Sequence, residues 1–344
     1  MVTAETPRVG RKMDSGNMSQ YLSILDTYKR LSDRLEDDSD SLHVETIDGY
    51  EWARLGVTSN AVLLLLPPEA HNRGPNQDLE HIWISPKKNY KIENGPKTRI
   101  ESVAVIATKS REGWLVKTFL ELIAMLFDTG VNSEPESVKK LITDLVSLFR
   151  ALTQPSRKST QGLWGELFLI DQSTDVNLAV GSWHTTPNDR YDFAHSHERV
   201  EVKTTTGPRI HMFSHAQLIP VEGLRVTIAS LVLSISDVGA TCADLVLQIL
   251  PKLKSESARR LFVDQVVRTL GDSWNNTGSL KYDLDHAKQG LRYFNVLDVP
   301  KILETVPPNV HGLKYQSDLQ AAAETTRSDI ESRDSLTLAF FEGR

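Results

Sequence analysis

Apolar and polar positions change period several times along this chain, and each change marks an element. Leu22, Leu25, Tyr28, Leu31 and Leu35 recur at helical spacing before an acidic stretch at 36–40, which predicts one amphipathic helix. From 43 to about 107 the pattern is that of strands. Residues 61–66 are an apolar run, 81–84 and 102–107 resemble it, and Pro67-Pro68 and Gly74-Pro75 punctuate them. A helix over 112–128 closes this block. Ser133-Glu134-Pro135-Glu136 has the form of a capping box with proline near the helix start. It predicts an amphipathic helix through Leu141, Leu145, Leu148, Phe149 and Leu152. Further helices are expected over 160–171, from Thr241 through Ile249, and over 257–270, where Gly271 stops the last. A strand is expected over 224–235, and late strands over 281–284 and 291–297 that pair with each other. The organisation that follows is a polar tail over 1–18, a β-rich domain over 19–130, an α/β unit over 131–325 and a loosely held tail over 326–344. No internal repeat is visible.

The most informative stretch runs from Trp183 to Lys203. Residues 191–193 and 200–204 both alternate apolar with polar, the period of strands, and the connector 194–198 is short enough for a hairpin. A turn centred on Ser196-His197 makes partners of residues whose numbers sum to 393. Asp192 then faces Glu201 with Cβ atoms about 5 Å apart, and Lys203, two residues on, projects from the same face. Opposed carboxylates repel unless a cation lies between them, and a hard divalent ion prefers carboxylate oxygens. One helix upstream, Leu163, Leu167 and Ile170 form an apolar stripe on which Glu166 also falls. An inward glutamate is costly unless it is paired or bound to metal, and the stripe favours that placement over a tip that reaches solvent.

Composition narrows the class without deciding it. With 40% apolar and 24% charged residues over 344, the chain is an ordinary soluble globular protein. No apolar run approaches the roughly 18 residues of a membrane span, and no leader pattern is present. The single cysteine, Cys242, forms no intrachain disulfide, which fits the cytoplasm. A net charge of −6 argues against a general nucleic-acid coat. It leaves room for a nuclease, whose contacts are local and whose carboxylates count as negative until metal binds.

Taken together, Gly-Leu-Trp-Gly-Glu-Leu-Phe-Leu-Ile (162–170), Tyr-Asp-Phe (191–193), Val-Glu-Val-Lys-Thr-Thr (200–205), Arg209-Ile210-His211 and Gln217-Leu218 resemble the PD-(D/E)XK nuclease superfamily. More narrowly they resemble a bacterial PD-(D/E)XK family of unknown function, over about residues 20–320. The resemblance implies a restriction-endonuclease-like α/β core, a mixed sheet flanked by helices, behind the β-rich N-terminal domain. It implies that Asp192, Glu201 and the carbonyl of Val202 hold Mg²⁺, with Mn²⁺ substituting, that Lys203 serves the nucleophile, and that Glu166 is the helix acid. Such proteins occur with DNA methyltransferases and helicase-like ATPases in restriction and phage-defence clusters. The implied partners are therefore DNA, those two proteins, and further copies or subunits. Two positions depart from the pattern: Tyr191 stands where proline is common, and Val221 stands four residues after Gln217 where a RecB-like subgroup has tyrosine.

The implied chemistry is Mg²⁺-dependent endonucleolytic cleavage of DNA, and the alternative is an inactive structural or DNA-binding subunit with the same fold. Other signals compete around the site. His195-x-His197, or His211 with His215, has a spacing that zinc accepts, yet no cysteine accompanies them. Arg209 and His211 are candidates for the scissile phosphate, or surface residues after a strand. Gln217 is a candidate partner of the lysine or the DNA, or a surface amide. Trp164 and Trp183 are expected to pack beneath the site. Arg157-Lys158 and the cluster Lys87, Lys88 and Lys91 offer weak backbone contacts, with solvated charge as the plainer reading.

Overall fold

The protein is described by a computed structural model over residues 18–35, 42–67, 76–94, 97–183, 189–274 and 280–343. Helix α1 (Met18–Asp33) precedes β1 (His43–Ile47), β2 (Tyr50–Val57), β3 (Val62–Leu66), β4 (Gln77–Asp78), β5 (Ile82–Asn94) and β6 (Lys97–Thr108). The strands form one antiparallel sheet in the order β1-β2-β3-β6-β5-β4. The sheet curls until β1 returns against β5, which encloses Leu63, Leu65, Val103 and Val105 on one face. Leu64, Leu66, Ala104 and Ile106 face the other way into the main core. Both faces are apolar, which is why 61–66 reads as an unbroken hydrophobic run. The β5–β6 hairpin is much longer than the expected 81–84 and 102–107, because its outer half is mostly polar and offers only the short alternation Tyr90-Lys91-Ile92. A register shift between Ser85 and Lys88 takes up Pro86, which cannot donate to the ladder.

Helix α2 (Gly113–Phe127) is buried on nearly every side from Leu115 to Phe127 and is a wall shared by both halves of the chain. One apolar cluster runs without a break from Ile24 through α2 to Phe340. Helix α3 (Pro135–Ala151) starts at Pro135 with Glu134 as its N-cap and no side-chain cap bond. The Ser133 capping box is therefore not formed; proline at the first position removes one of the N–H groups left without an intrahelical partner.

Beyond α3 come α4 (Thr160–Gln172), α5 (Val176–Ser182), β7 (Phe193–His195), β8 (Glu198–Thr205), β9 (Ile210–Ser214), α6 (His215–Leu218), β10 (Arg225–Val232) and β11 (Ile235–Ala240). Helices α7 (Cys242–Ile249), α8 (Glu256–Leu270) and α9 (Leu284–Gly290) follow, with β12 (Arg292–Asn295), β13 (Lys314–Asp318) and α10 (Ser335–Glu342). The central sheet is mixed, in the order β12-β10-β8-β7; β8 runs parallel to β10 and the other neighbours are antiparallel. Helices pack against this sheet, so the core is α/β in the restriction-endonuclease-like manner. The Thr241–Asp244 capping box is formed at α7, and Gly271 ends α8 with a positive φ of 47°.

Two expectations are corrected here. The late strands do not pair with each other: β12 pairs with β10, and Tyr282 only bridges Ile235 and Ala240 before α9 begins. The last residues are not a loose tail either. Leu336 and Phe340 of α10 are fully buried, Phe340 meets Phe193 edge-on at 5.0 Å between ring centres, and Tyr293 donates to the Phe340 carbonyl. Eight residues are too few to show a period, so only tertiary contact reveals this helix. Among the described residues, no helix is long and apolar enough to cross a membrane.

Candidate active site

Helix α4 delivers the first acid. Ser159 caps it by accepting from the Gly162 N–H at 3.1 Å. One turn on, Gly165 lies against β8 so closely that a Cβ there would sit 2.3 Å from Thr204 Cγ2. Only glycine admits this approach, and it sets Glu166 beside the strand. Leu163, Leu167 and Ile170 are fully buried, and Glu166, on the same stripe, is 3% exposed. The inward placement read from the helical wheel is the observed one.

The hairpin delivers the second and third. Its register is Phe193↔Val200, Ala194↔Arg199 and His195↔Glu198, so partner numbers sum to 393 as the turn position predicts. Ser196 opens the two-residue turn with φ 47°, the left-handed conformation that such turns require. The ladder ends at Phe193. Beyond it, the Asp192 carboxylate takes the next N–H facing that side, with Oδ2 accepting from Val202 N at 2.8 Å. Lys203 Nζ lies 2.7 Å from Glu201 Oε1 and 5.0 Å from the Phe213 ring centre.

These side chains open on one cavity of about 340 Å³. Its lining includes Lys158, Glu166, Asp192, Glu201, Lys203 and Gln217. Lys158 Nζ bridges two of the acids, at 2.7 Å from Glu166 Oε1 and 2.6 Å from Asp192 Oδ1. Trp183 Nε1 donates to Glu166 Oε2 at 2.8 Å. Gln217 Nε2 donates to Glu201 Oε1 at 2.7 Å and to the Arg190 carbonyl at 3.2 Å. Glu201 Oε2 is buried and has no hydrogen-bond partner among the described residues.

Burial, and then the Asp192 charge, push both Glu166 and Glu201 above the usual glutamate range, with Lys158 and Lys203 working against the shift. Burial acts to lower the Lys158 ammonium, but Glu166 and Asp192 outweigh it and hold the group charged well above the ordinary lysine value. Three acids therefore share one poorly solvated space with two ammonium groups.

As the side chains stand, no three His, Cys, Asp or Glu groups among the described residues converge on one point. The donor set nevertheless suits a hard divalent cation. The acids belong to two separate elements, they line one cavity, and a buried carboxylate oxygen is left unpartnered. The Lys158 ammonium lies between two of these acids.

Other residues singled out in the sequence lie elsewhere. Arg209 does not reach the cavity: it donates to the Ser230 carbonyl and hydroxyl at 2.8 and 2.9 Å and to the Gly290 carbonyl. His211 is buried, 2.7 Å from Ser230 Oγ, and burial with Lys203 and Arg209 nearby lowers its pKa to about 4. Both tie the start of β9 to β10, and neither lines the cavity. Gln217, half-buried at the cavity wall, bonds the carboxylate of Glu201 and not the lysine. His197 bonds Asp334 at 2.7 Å and His215 lies 3.4 Å from the Tyr315 hydroxyl, while His184 falls outside the described residues. Trp164 packs in the core, stacked on Phe168, and Lys88 rests over Trp83 and Tyr90. The sequence reading missed the roles of Lys158, which it took for a backbone contact or a solvated charge, and of the Trp183 indole as a donor. Arg190 also lines the cavity. No local pattern announces a lysine eight residues before an acid across a helix start.

A mixed sheet whose hairpin carries Asp192 and Glu201-x-Lys203 beside an acid-bearing helix defines the PD-(D/E)XK nuclease-like class of fold. Residues 26–320 match the family described as "Putative PD-(D/E)XK family member, (DUF4420)", and the chain belongs to that family. No curated protein and no solved structure matches it.

Proposed function

We propose that this protein is a divalent-metal-dependent DNA endonuclease, working as a subunit of a restriction or phage-defence assembly with a methyltransferase or helicase-like ATPase. The observation that carries the reading is the meeting of Glu166, Asp192 and Glu201 with Lys203 on one cavity, in a chain of this family. Asp192, Glu201, the Val202 carbonyl and Glu166 would hold Mg²⁺ or Mn²⁺. When bound, such a cation lowers the pKa of water and offsets charge growing on a phosphate.

The chain's own residues do the rest. Lys203 presents an ammonium on the same strand face as Glu201, where it orients a water for attack and stabilises negative charge in the transition state. The Val202 N–H fixes the Asp192 carboxylate, and Gln217 and Trp183 fix Glu201 and Glu166, so the acids are held before substrate arrives. Arg157 and Arg190 border the same cavity and offer charge to the flanking phosphates.

The alternative, an inactive structural or DNA-binding subunit, is favoured by one observation, the closure of the acids on Lys158. Purified protein with Mg²⁺ or Mn²⁺ and plasmid, modified and single-stranded DNA separates the two. Metal-dependent products that disappear in Glu201→Ala support the nuclease; intact substrates under every condition support the inactive subunit.

A further inference from the structure

Lys158 stands immediately before the Ser159 N-cap, so its backbone belongs to neither element whose acids it bridges. The neighbouring backbone is tied down: Arg157 N donates to the Thr269 carbonyl at 2.9 Å, and Ser156 N donates to Asp272 Oδ1 at 3.1 Å. The side chain is held differently. It is a quarter exposed, and its hydrogen bonds go to the two carboxylates. A lysine side chain has four rotatable carbons and a compact charge, so it can leave Asp192 and Glu166 without disturbing the fold.

The charges point the same way. With Lys158 in place, three carboxylates face two ammonium groups. With Lys158 withdrawn, Lys203 is the one ammonium still paired with them among the described residues, which leaves two of the three negative charges for a divalent ion to balance. The uncharged donors at the acids, the Trp183 indole, the Gln217 amide and the Val202 N–H, add no positive charge to compete with a cation. The Nζ position, within 2.7 Å of an oxygen from Glu166 and one from Asp192, is also suited to a bound cation.

We infer that Lys158 is a built-in counter-cation, occupying the position of the divalent ion and giving it up when that ion binds. This rests on the metal-binding reading of the same acids. Lys158 keeps Glu166 and Asp192 from repelling each other in the metal-free protein, and once displaced it adds a positive charge where the phosphate backbone passes. Metal and Lys158 exclude each other, so the lysine weakens metal affinity.

The test is calorimetric titration of Mn²⁺ into the full chain without DNA, comparing wild type, Lys158→Met and Asp192→Asn, with thermal unfolding of each. Lys158→Met is expected to bind Mn²⁺ about tenfold more tightly than wild type or better, the equivalent of one competing ion pair of about 1.4 kcal/mol. It should also melt lower than wild type without metal and gain more from Mn²⁺. Equal or weaker binding by Lys158→Met, with wild type binding and Asp192→Asn not, overturns the inference and leaves the metal reading intact. Absence of binding in both wild type and Lys158→Met overturns the two together. Should Lys158→Met fail to fold, Lys158→Gln keeps a donor for the carboxylates without the charge and carries the same expectations.

Discussion

Asp192 Oδ2 accepts the Val202 N–H at 2.8 Å, which fastens the first acid to the strand that presents Glu201 and Lys203. The bond uses a backbone donor that the short β7 leaves free, so ending that strand early and placing the acid are one event. Asp192→Asn keeps an oxygen for this bond and removes the charge. We expect its melting temperature to stay close to wild type while DNA cleavage falls by about 10²–10³ or more. Parallel melting and cleavage measurements check both halves.

Gln217 touches Glu201 without belonging to the acidic set, and its own Oε1 accepts from Ser214 N at 3.1 Å. Partners of this kind hold a ligand in its orientation, and their loss commonly lowers metal affinity or activity by about 10–100-fold. Gln217→Ala is expected to fall in that range, with metal affinity lowered in step. An activity equal to wild type would show that Lys203 alone positions Glu201.

Glu198 is fully buried and accepts the Leu336 and Thr337 N–H groups at 3.0 and 2.8 Å, so a hairpin carboxylate caps the C-terminal helix. Asp334 adds His197 at 2.7 Å and Arg225 at 3.1 Å from the same region. Glu198→Ala strands two donors and should cost about 1–3 kcal/mol. Denaturant unfolding measures the loss, and limited proteolysis should cut first near residues 331–343.

Gly165 tests the seating of α4. Gly165→Ala puts a methyl 2.3 Å from Thr204 Cγ2 and 3.4 Å from Val202 Cγ1. Helix propensity alone favours alanine, yet the crowding should destabilise the protein by about 1–3 kcal/mol. Cleavage is expected to drop as well, because Glu166 moves with the helix. A stabilised variant would mean that the helix shifts away freely.

Away from the site, Glu121 of α2 is 5% exposed and 3.7 Å from Lys117 Nζ. Burial raises its pKa from 4.5 to about 7, against the Lys117 charge. The folded state therefore holds a proton that the unfolded chain has released between pH 4.5 and about 7. Stability should fall as pH rises through that window, with the full penalty of about 3 kcal/mol present above it. Glu121→Gln should flatten this part of the curve in urea melts at several pH values.

The site was legible in the sequence because it sits on two local patterns. Period-two alternation on either side of Ser196-His197 fixes the register, and the Leu163, Leu167 and Ile170 stripe fixes the direction of Glu166. Both need only neighbours in the chain. Lys158, Trp183 and Gln217 reach the acids through tertiary contact, so no spacing rule contains them. Arg209 and His211 mislead for the opposite reason: their types suit phosphate, but Ser230 and Gly290 already claim them. In the fold, the apolar run at 62–66 was plain, whereas the polar end of the β5–β6 hairpin and the short helix α10 carry too weak a period to read.

We propose that Asp192, Glu201 and Lys203 form a metal-dependent cutting site. Its most direct measurement is conversion of supercoiled plasmid by the purified protein in Mg²⁺ and in EDTA, beside the Asp192→Ala/Lys203→Ala double variant. Nicked or linear product that needs Mg²⁺ and vanishes in the double variant is the predicted result. Equal cleavage by the double variant would contradict the account.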